Sequence, residues 1–127
     1  DSVASRGLGD VYKRQEEVAA RMLTEKGYRI IARDWKDNHK DLDIVAVADD
    51  CLVIVEVKTR RNNDYMAPEQ AVDYRKIKNI TLAANKFIKM NCIDLPIRFD
   101  IVAVTGTNDE NCVIDHIEDA FMPYMFR

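Results

Sequence analysis

The chain has 127 residues, 47% hydrophobic and 32% charged, with 19 Lys plus Arg against 22 Asp plus Glu for a formal net charge of −3. That length suits one domain with one core, and the mild acidity excludes a basic coat over the whole surface. No apolar run approaches the ~20 residues of a membrane span, four Gly and three Pro exclude a low-complexity chain, and three Cys are too few for a disulfide framework, which predicts a reducing, cytoplasmic setting with no membrane partner.

Residues 1–15, DSVASRGLGDVYKRQ, show no apolar periodicity and lack the apolar core of a signal peptide. Read back into DNA, residues 5–15 look like a transposon-based sequencing-library adapter. Residues 1–15 are therefore set aside as a non-native, disordered extension that packs against nothing, the native start being lost. Residues 16–127 are taken as a single domain of 112 residues; the extension holds three basic and two acidic residues, so this domain carries −4.

Residues 16–26 predict a short amphipathic helix, with Val18, Ala19, Met22 and Leu23 at helical spacing and Gly27 as its stop. Residues 28–35 form a strand-length run, and 37–40 a polar turn. Residues 43–48 and 52–58 are rich in Ile and Val and flank Asp49-Asp50, which reads as a β-hairpin. A polar loop over 60–67 leads to the longest helical pattern, 68–90, in which Pro68 suits the first turn and Ala71, Val72, Ile77, Ile80, Ala83, Ala84, Phe87 and Ile88 form one stripe. Residues 97–104 read as a buried strand, 105–111 as a loop and 112–117 as an edge strand. The order α-β-β-β-α-β, with a further β, predicts an α/β sandwich around a central mixed sheet.

The hairpin carries the chemistry. With Asp49-Asp50 as a two-residue turn, facing positions sum to 99, so Asp43 lies opposite Glu56 and Asp41 opposite Lys58. The period of two puts Glu56 and Lys58 on one face with Val45, Val47, Leu52 and Ile54, and Ile44, Ala46, Val53, Val55 and Val57 on the other. Both faces are apolar, so the hairpin is central and covered on both sides. Two carboxylates about 4.5–5.5 Å apart at Cβ do not both stay ionised unaided. A hard divalent cation resolves that conflict; a strand-end salt bridge from Lys58 to Asp41 or Glu56 is the plainer alternative.

Asp43 followed by Glu56-Val57-Lys58 on the next strand, inside α-β-β-β-α-β, resembles the PD-(D/E)xK motif of the restriction-endonuclease-like superfamily. Residues 16–35, DLDIVA, IVEVKTR, residues 68–72, Lys76 and RFDIVAV more narrowly resemble the YraN family of small bacterial proteins. The likeness spans nearly all of residues 16–120. The chain departs from the family pattern where Gln15 replaces a Gly before Glu16, and where Lys40-Asp41 stands in place of Gly-Glu ahead of Asp43.

The resemblance implies a restriction-endonuclease-like fold and metal-dependent hydrolysis of phosphodiester bonds in nucleic acid, with branched DNA as the expected substrate. Asp43, Glu56 and the Val57 carbonyl would hold Mg²⁺ or Mn²⁺, Glu16 would add a carboxylate, and Lys58 would orient water or stabilise the transition state. Arg60, Arg61 and Lys76 are the candidate nucleic-acid contacts. A homodimer fits the resemblance, because related junction resolvases act as dimers. The alternative is a non-catalytic nucleic-acid-binding or assembly module on the same fold. Asp100 reads as a buried hydrogen-bonding group, His39 and His116 as isolated, and Cys51, Cys92 and Cys112 as small packing residues without zinc-site spacing. Residues 56–90 hold eight basic and four acidic residues, a local +4 inside the acidic total.

Overall fold

The computed structural model describes residues 3–38, 40–60, 73–106 and 112–122, and the side chains of these apart from 3–12 and 60. Two helices, α1 (Val3–Glu25) and α2 (Tyr74–Asn91), flank five strands: β1 (Arg29–Asp37), β2 (Lys40–Ala48), β3 (Cys51–Arg60), β4 (Ile97–Thr105) and β5 (Val113–Ile117). The strands lie side by side in chain order. β3 and β4 are parallel, joined across the segment that contains α2, and the other pairs are antiparallel. This is the mixed-sheet α/β sandwich that the pattern predicts. No helix among the described residues is long and apolar enough to cross a membrane.

The β2–β3 register runs Ala48–Cys51, Val47–Leu52, Ala46–Val53, Val45–Ile54 and Ile44–Val55, the predicted sum of 99 throughout. Asp49 and Asp50 both take positive φ, 53° and 60°, which is the two-residue turn whose twist matches that of paired strands. Alternation then divides the core. Ile44, Ala46, Val53, Val55, Val57, Val102 and Val104 pack under Ala19, Ala20 and Leu23 of α1. Val45, Leu52, Ile54 and Phe99 pack under Ile80, Ala83, Ala84 and Phe87 of α2. Leu52, Val53, Ile54 and Val55 are essentially sealed from solvent, as a strand covered on both faces requires.

Three expectations are corrected. The helix expected to open at Glu16 extends back to Val3. No proline interrupts residues 3–15, and interior glycines cost a helix only about 1 kcal/mol each. Gln15, expected to pack against nothing, is buried and its side-chain amide donates to the Gly106 carbonyl. α2 as described starts at Tyr74, later than Pro68, because Asp73 is its N-cap: extended in backbone, it accepts the Lys76 N–H on its side chain at 2.9 Å. Positions 68–72 lie outside the described residues, as do Arg61 and His39. Two residues before Ile44, Leu42 lies on the opposite face. It packs on the α2 side, near Trp35, which meets Phe87 edge-on at 5.5 Å. The pairing Arg33–Ile44 and Trp35–Leu42 brackets Asp34, whose φ of 49° breaks the strand's alternation opposite Asp43.

Candidate functional site

The site begins where the central hairpin stops being regular. The β2–β3 ladder ends at Ile44–Val55. One residue on, the Val57 N–H donates to Asp43 Oδ2 at 2.8 Å. Asp43 thus lies in the gap between the strands, tied to the backbone of the segment that carries Glu56 and Lys58. The expected Asp43–Glu56 and Asp41–Lys58 pairs therefore fall beyond the β2–β3 register; on their other edges Asp41 pairs with Lys36 of β1 and Lys58 with Ala103 of β4.

Glu56 and Lys58 lie on the α2 face in the alternation set by Leu52 and Ile54. Glu56 is 5% exposed, although it is charged and belongs to a central strand. Two ammonium groups compensate it: Lys76 Nζ from α2 at 3.3 Å and Lys58 Nζ at 3.6 Å, both on Oε1. A buried carboxylate without such partners would be strongly destabilising. Burial alone would depress the Lys76 ammonium, but the Glu56 charge and hydrogen bond outweigh it and raise its pKa.

Asp43 is the strained member. Burial pushes its carboxyl up to about 8, and the charge of Glu56 adds to the push against the opposing Val57 N–H. Glu16 is also raised, first by its burial and then by Asp34, with Asp41 and Glu56 contributing. Carboxylates from α1, β1, β2 and β3 therefore converge electrostatically on one region of the sheet. Asp34 was missed by sequence reasoning; a lone acid inside an otherwise strand-like run was its only signal. The Lys76–Glu56 contact needed the docking of α2, which local pattern does not reveal.

The donor set suits a hard cation. Asp43 and Glu56 offer carboxylate oxygens whose mutual repulsion is already visible in the raised Asp43 carboxyl, and such ions take one or two carboxylates with water or phosphate completing the shell. Among the described residues no three acidic, His or Cys side chains are gathered closely enough to hold a metal by themselves. Arg60 ends β3, and its side chain lies outside the described set, as does the whole of Arg61.

A second polar cluster lies on the opposite, α1 face. Asp100 is fully buried. It accepts from Arg98 Nε at 2.9 Å and Nη2 at 3.0 Å, the Tyr28 hydroxyl at 3.2 Å and the Asp119 N–H at 3.1 Å, and contacts His116 Nε2 at 2.8 Å. Burial would raise its carboxyl, but the His116 and Arg98 hydrogen bonds and the Asp119 N–H hold it down at about 2. Asp100 is the buried hydrogen-bonding group expected, whereas His116 is not isolated: its other nitrogen meets Lys26 Nζ at 2.8 Å.

Residues 15–104 match the model of the Uncharacterised protein family UPF0102. The chain belongs to this family. A UPF0102 protein from Bacteroides thetaiotaomicron is 49% identical over 114 residues, covering 90% of this chain and 93% of the relative. Another, from Parabacteroides distasonis, is 43% identical over 112 residues, 88% and 92% of the two chains. A third, from Flavobacterium psychrophilum, is 40% identical over 112 residues, 88% and 93%. UPF0102 is the family resembled through the DLDIVA, IVEVKTR and RFDIVAV segments, and the UPF0102 match includes Glu16, Asp43, Glu56, Lys58 and Lys76.

Proposed function

We propose that this UPF0102 protein is a metal-dependent nuclease that hydrolyses phosphodiester bonds of nucleic acid, with branched DNA as the first substrate to test. One observation carries the reading: a pair of carboxylates, half-buried Asp43 and buried Glu56, at the open end of a central hairpin, with the Lys58 and Lys76 ammonium groups on Glu56. A structural ion pair accounts for Glu56 with one lysine. It does not account for a second carboxylate held beside it with its carboxyl raised to about 8.

Asp43 and Glu56 would hold Mg²⁺ or Mn²⁺, with the Val57 carbonyl as an additional donor, while Glu16, the further carboxylate expected, would act on the site through its charge because it does not complete a three-carboxylate cluster among the described residues. Such an ion supplies Lewis acidity toward a phosphoryl oxygen and activates water. The chain's own residues do the rest. The Val57 N–H fixes one oxygen of Asp43. Lys58, 23% exposed in its side chain, would orient the attacking water and offset negative charge growing on the phosphoryl group. Water adds to phosphorus, the bond to the bridging oxygen breaks, and a phosphate monoester and an alcohol result.

The test is cleavage of end-labelled duplex, flap and four-way-junction DNA and of RNA, with Mg²⁺ or Mn²⁺. Glu56→Ala and Lys58→Ala should each reduce cleavage at least roughly 10²-fold. Full activity in both variants would refute the assignment. Nucleic-acid binding without cleavage by the unaltered chain would identify the non-catalytic module instead.

A further inference from the structure

Beside Glu56, a cleft of about 280 Å³ opens between the end of β3 and the first turns of α2, lined by Lys58, Asp73, Arg75, Lys76 and Asn79. Three cations face one carboxylate, and that carboxylate is already used to cap α2 through the Lys76 N–H. Lys58 and Lys76 are shared with Glu56. Arg75 and Asn79 are different: neither has an ionic or hydrogen-bonding partner among the described residues. They are four apart, hence on one face of the helix. Together they present a guanidinium fork and an amide to the same space.

The geometry points to a phosphate subsite in this cleft, with Arg75 and Asn79 as its contacts, that takes a backbone phosphate next to the one that would meet the cation at Asp43 and Glu56. The donor chemistry selects an oxyanion: a guanidinium matches two phosphate oxygens at once, and two ammonium groups at the back of the cleft supply further positive charge. At about 280 Å³ the open cleft has room for one phosphate with part of its sugar. The inference rests on the nucleic-acid reading for the identity of the polymer, but not on cleavage.

The experiment is equilibrium binding of the full chain to fluorescein-labelled DNA without divalent ions, over a series of salt concentrations. One oligonucleotide carries a 5′-phosphate and a matched one a 5′-hydroxyl. Arg75→Ala should weaken binding roughly tenfold, as expected for loss of a charge-assisted contact, and make the logarithmic salt dependence shallower by about one. Arg75→Lys should restore the salt slope and only part of the affinity. Lys89→Ala, which removes an exposed cation in the last turn of the same helix, should leave both unchanged. An equal Arg75→Ala effect on both oligonucleotides assigns the subsite to an internal phosphodiester, and an effect only on the phosphorylated one assigns it to a terminal phosphate. Binding and salt slope unaltered in Arg75→Ala overturn the subsite. Cleavage lost with Arg75-dependent binding retained would overturn only the nuclease reading, so the two failures are distinguishable.

Discussion

At the scale of single residues, Asp43 sets function against stability. Its carboxyl ordinarily titrates near 3.8 and here is raised to about 8, first by burial and then by Glu56. A raised carboxyl penalises the folded state when ionised. The penalty is absent below about pH 4, grows between pH 4 and 8, and is complete above that. Asp43→Asn keeps an oxygen for the Val57 N–H and removes the charge. It should therefore stabilise the metal-free protein near pH 8 by at least about 1 kcal/mol, and the gain should vanish near pH 4. Urea unfolding in the presence of a chelator at the two pH values measures this. A variant less stable than the parent near pH 8 would show that Asp43 is an ordinary structural acid.

Among the elements, β4 and β5 depend on the Asp100 cluster in the opposite sense. Asp100 is held at about 2, below its usual 3.8, by His116, Arg98 and the Asp119 N–H acting against burial. A depressed carboxyl contributes stability that is fully present above about pH 4 and is lost as pH falls toward 2. Asp100→Asn leaves the Arg98 guanidinium with only Asp49 as a carboxylate partner, at 3.1 Å, and should cost about 2–4 kcal/mol at neutral pH. Its acid unfolding between pH 4 and 2 should be flatter than the parent's. A parallel decline in both proteins would mean that other carboxylates govern the acid limit.

The elements also show what the sequence could and could not reveal. The β2–β3 register was legible because Ile and Val fill both faces between two turn-forming Asp residues, and an even period leaves no other pairing. Its end was not legible. Asp43 leaves the ladder because its side chain takes the Val57 N–H and because Asp34 twists β1 opposite it. Both are contacts between strands, invisible in one strand's pattern. The start of α2 was misplaced for a local reason: Pro68 competes with Asp73 as a start signal, and the cap bond to Lys76 decides it. Asp43, Glu56 and Lys58 could be proposed together from the sequence because a fixed register runs toward one end of the hairpin. The two-lysine compensation of Glu56 required knowing which turn of α2 crosses β3.

For the molecule as a whole, net charge is a poor guide to what the surface can bind. The chain carries −3 in total, yet the segment from Glu56 to Met90 carries +4. The fold brings part of that excess, Lys58, Arg75 and Lys76, to one cleft beside the buried Glu56. The sandwich makes this arrangement affordable. Both faces of β3 are sealed by helices, so Glu56 is desolvated at the point where the strand opens toward solvent. The proposed metal site, the proposed phosphate subsite and the stability cost of Asp43 would then be three consequences of the same placement.

The central claim is that Asp43 and Glu56 form a divalent-cation site. The most direct measurement is a calorimetric titration of the chain with Mn²⁺, compared with the same titration of Glu56→Gln. The account predicts one ion per chain in the parent, with proton release as the Asp43 carboxyl ionises, and loss of that binding in the variant. Equal binding in both proteins, or none in the parent, would contradict it.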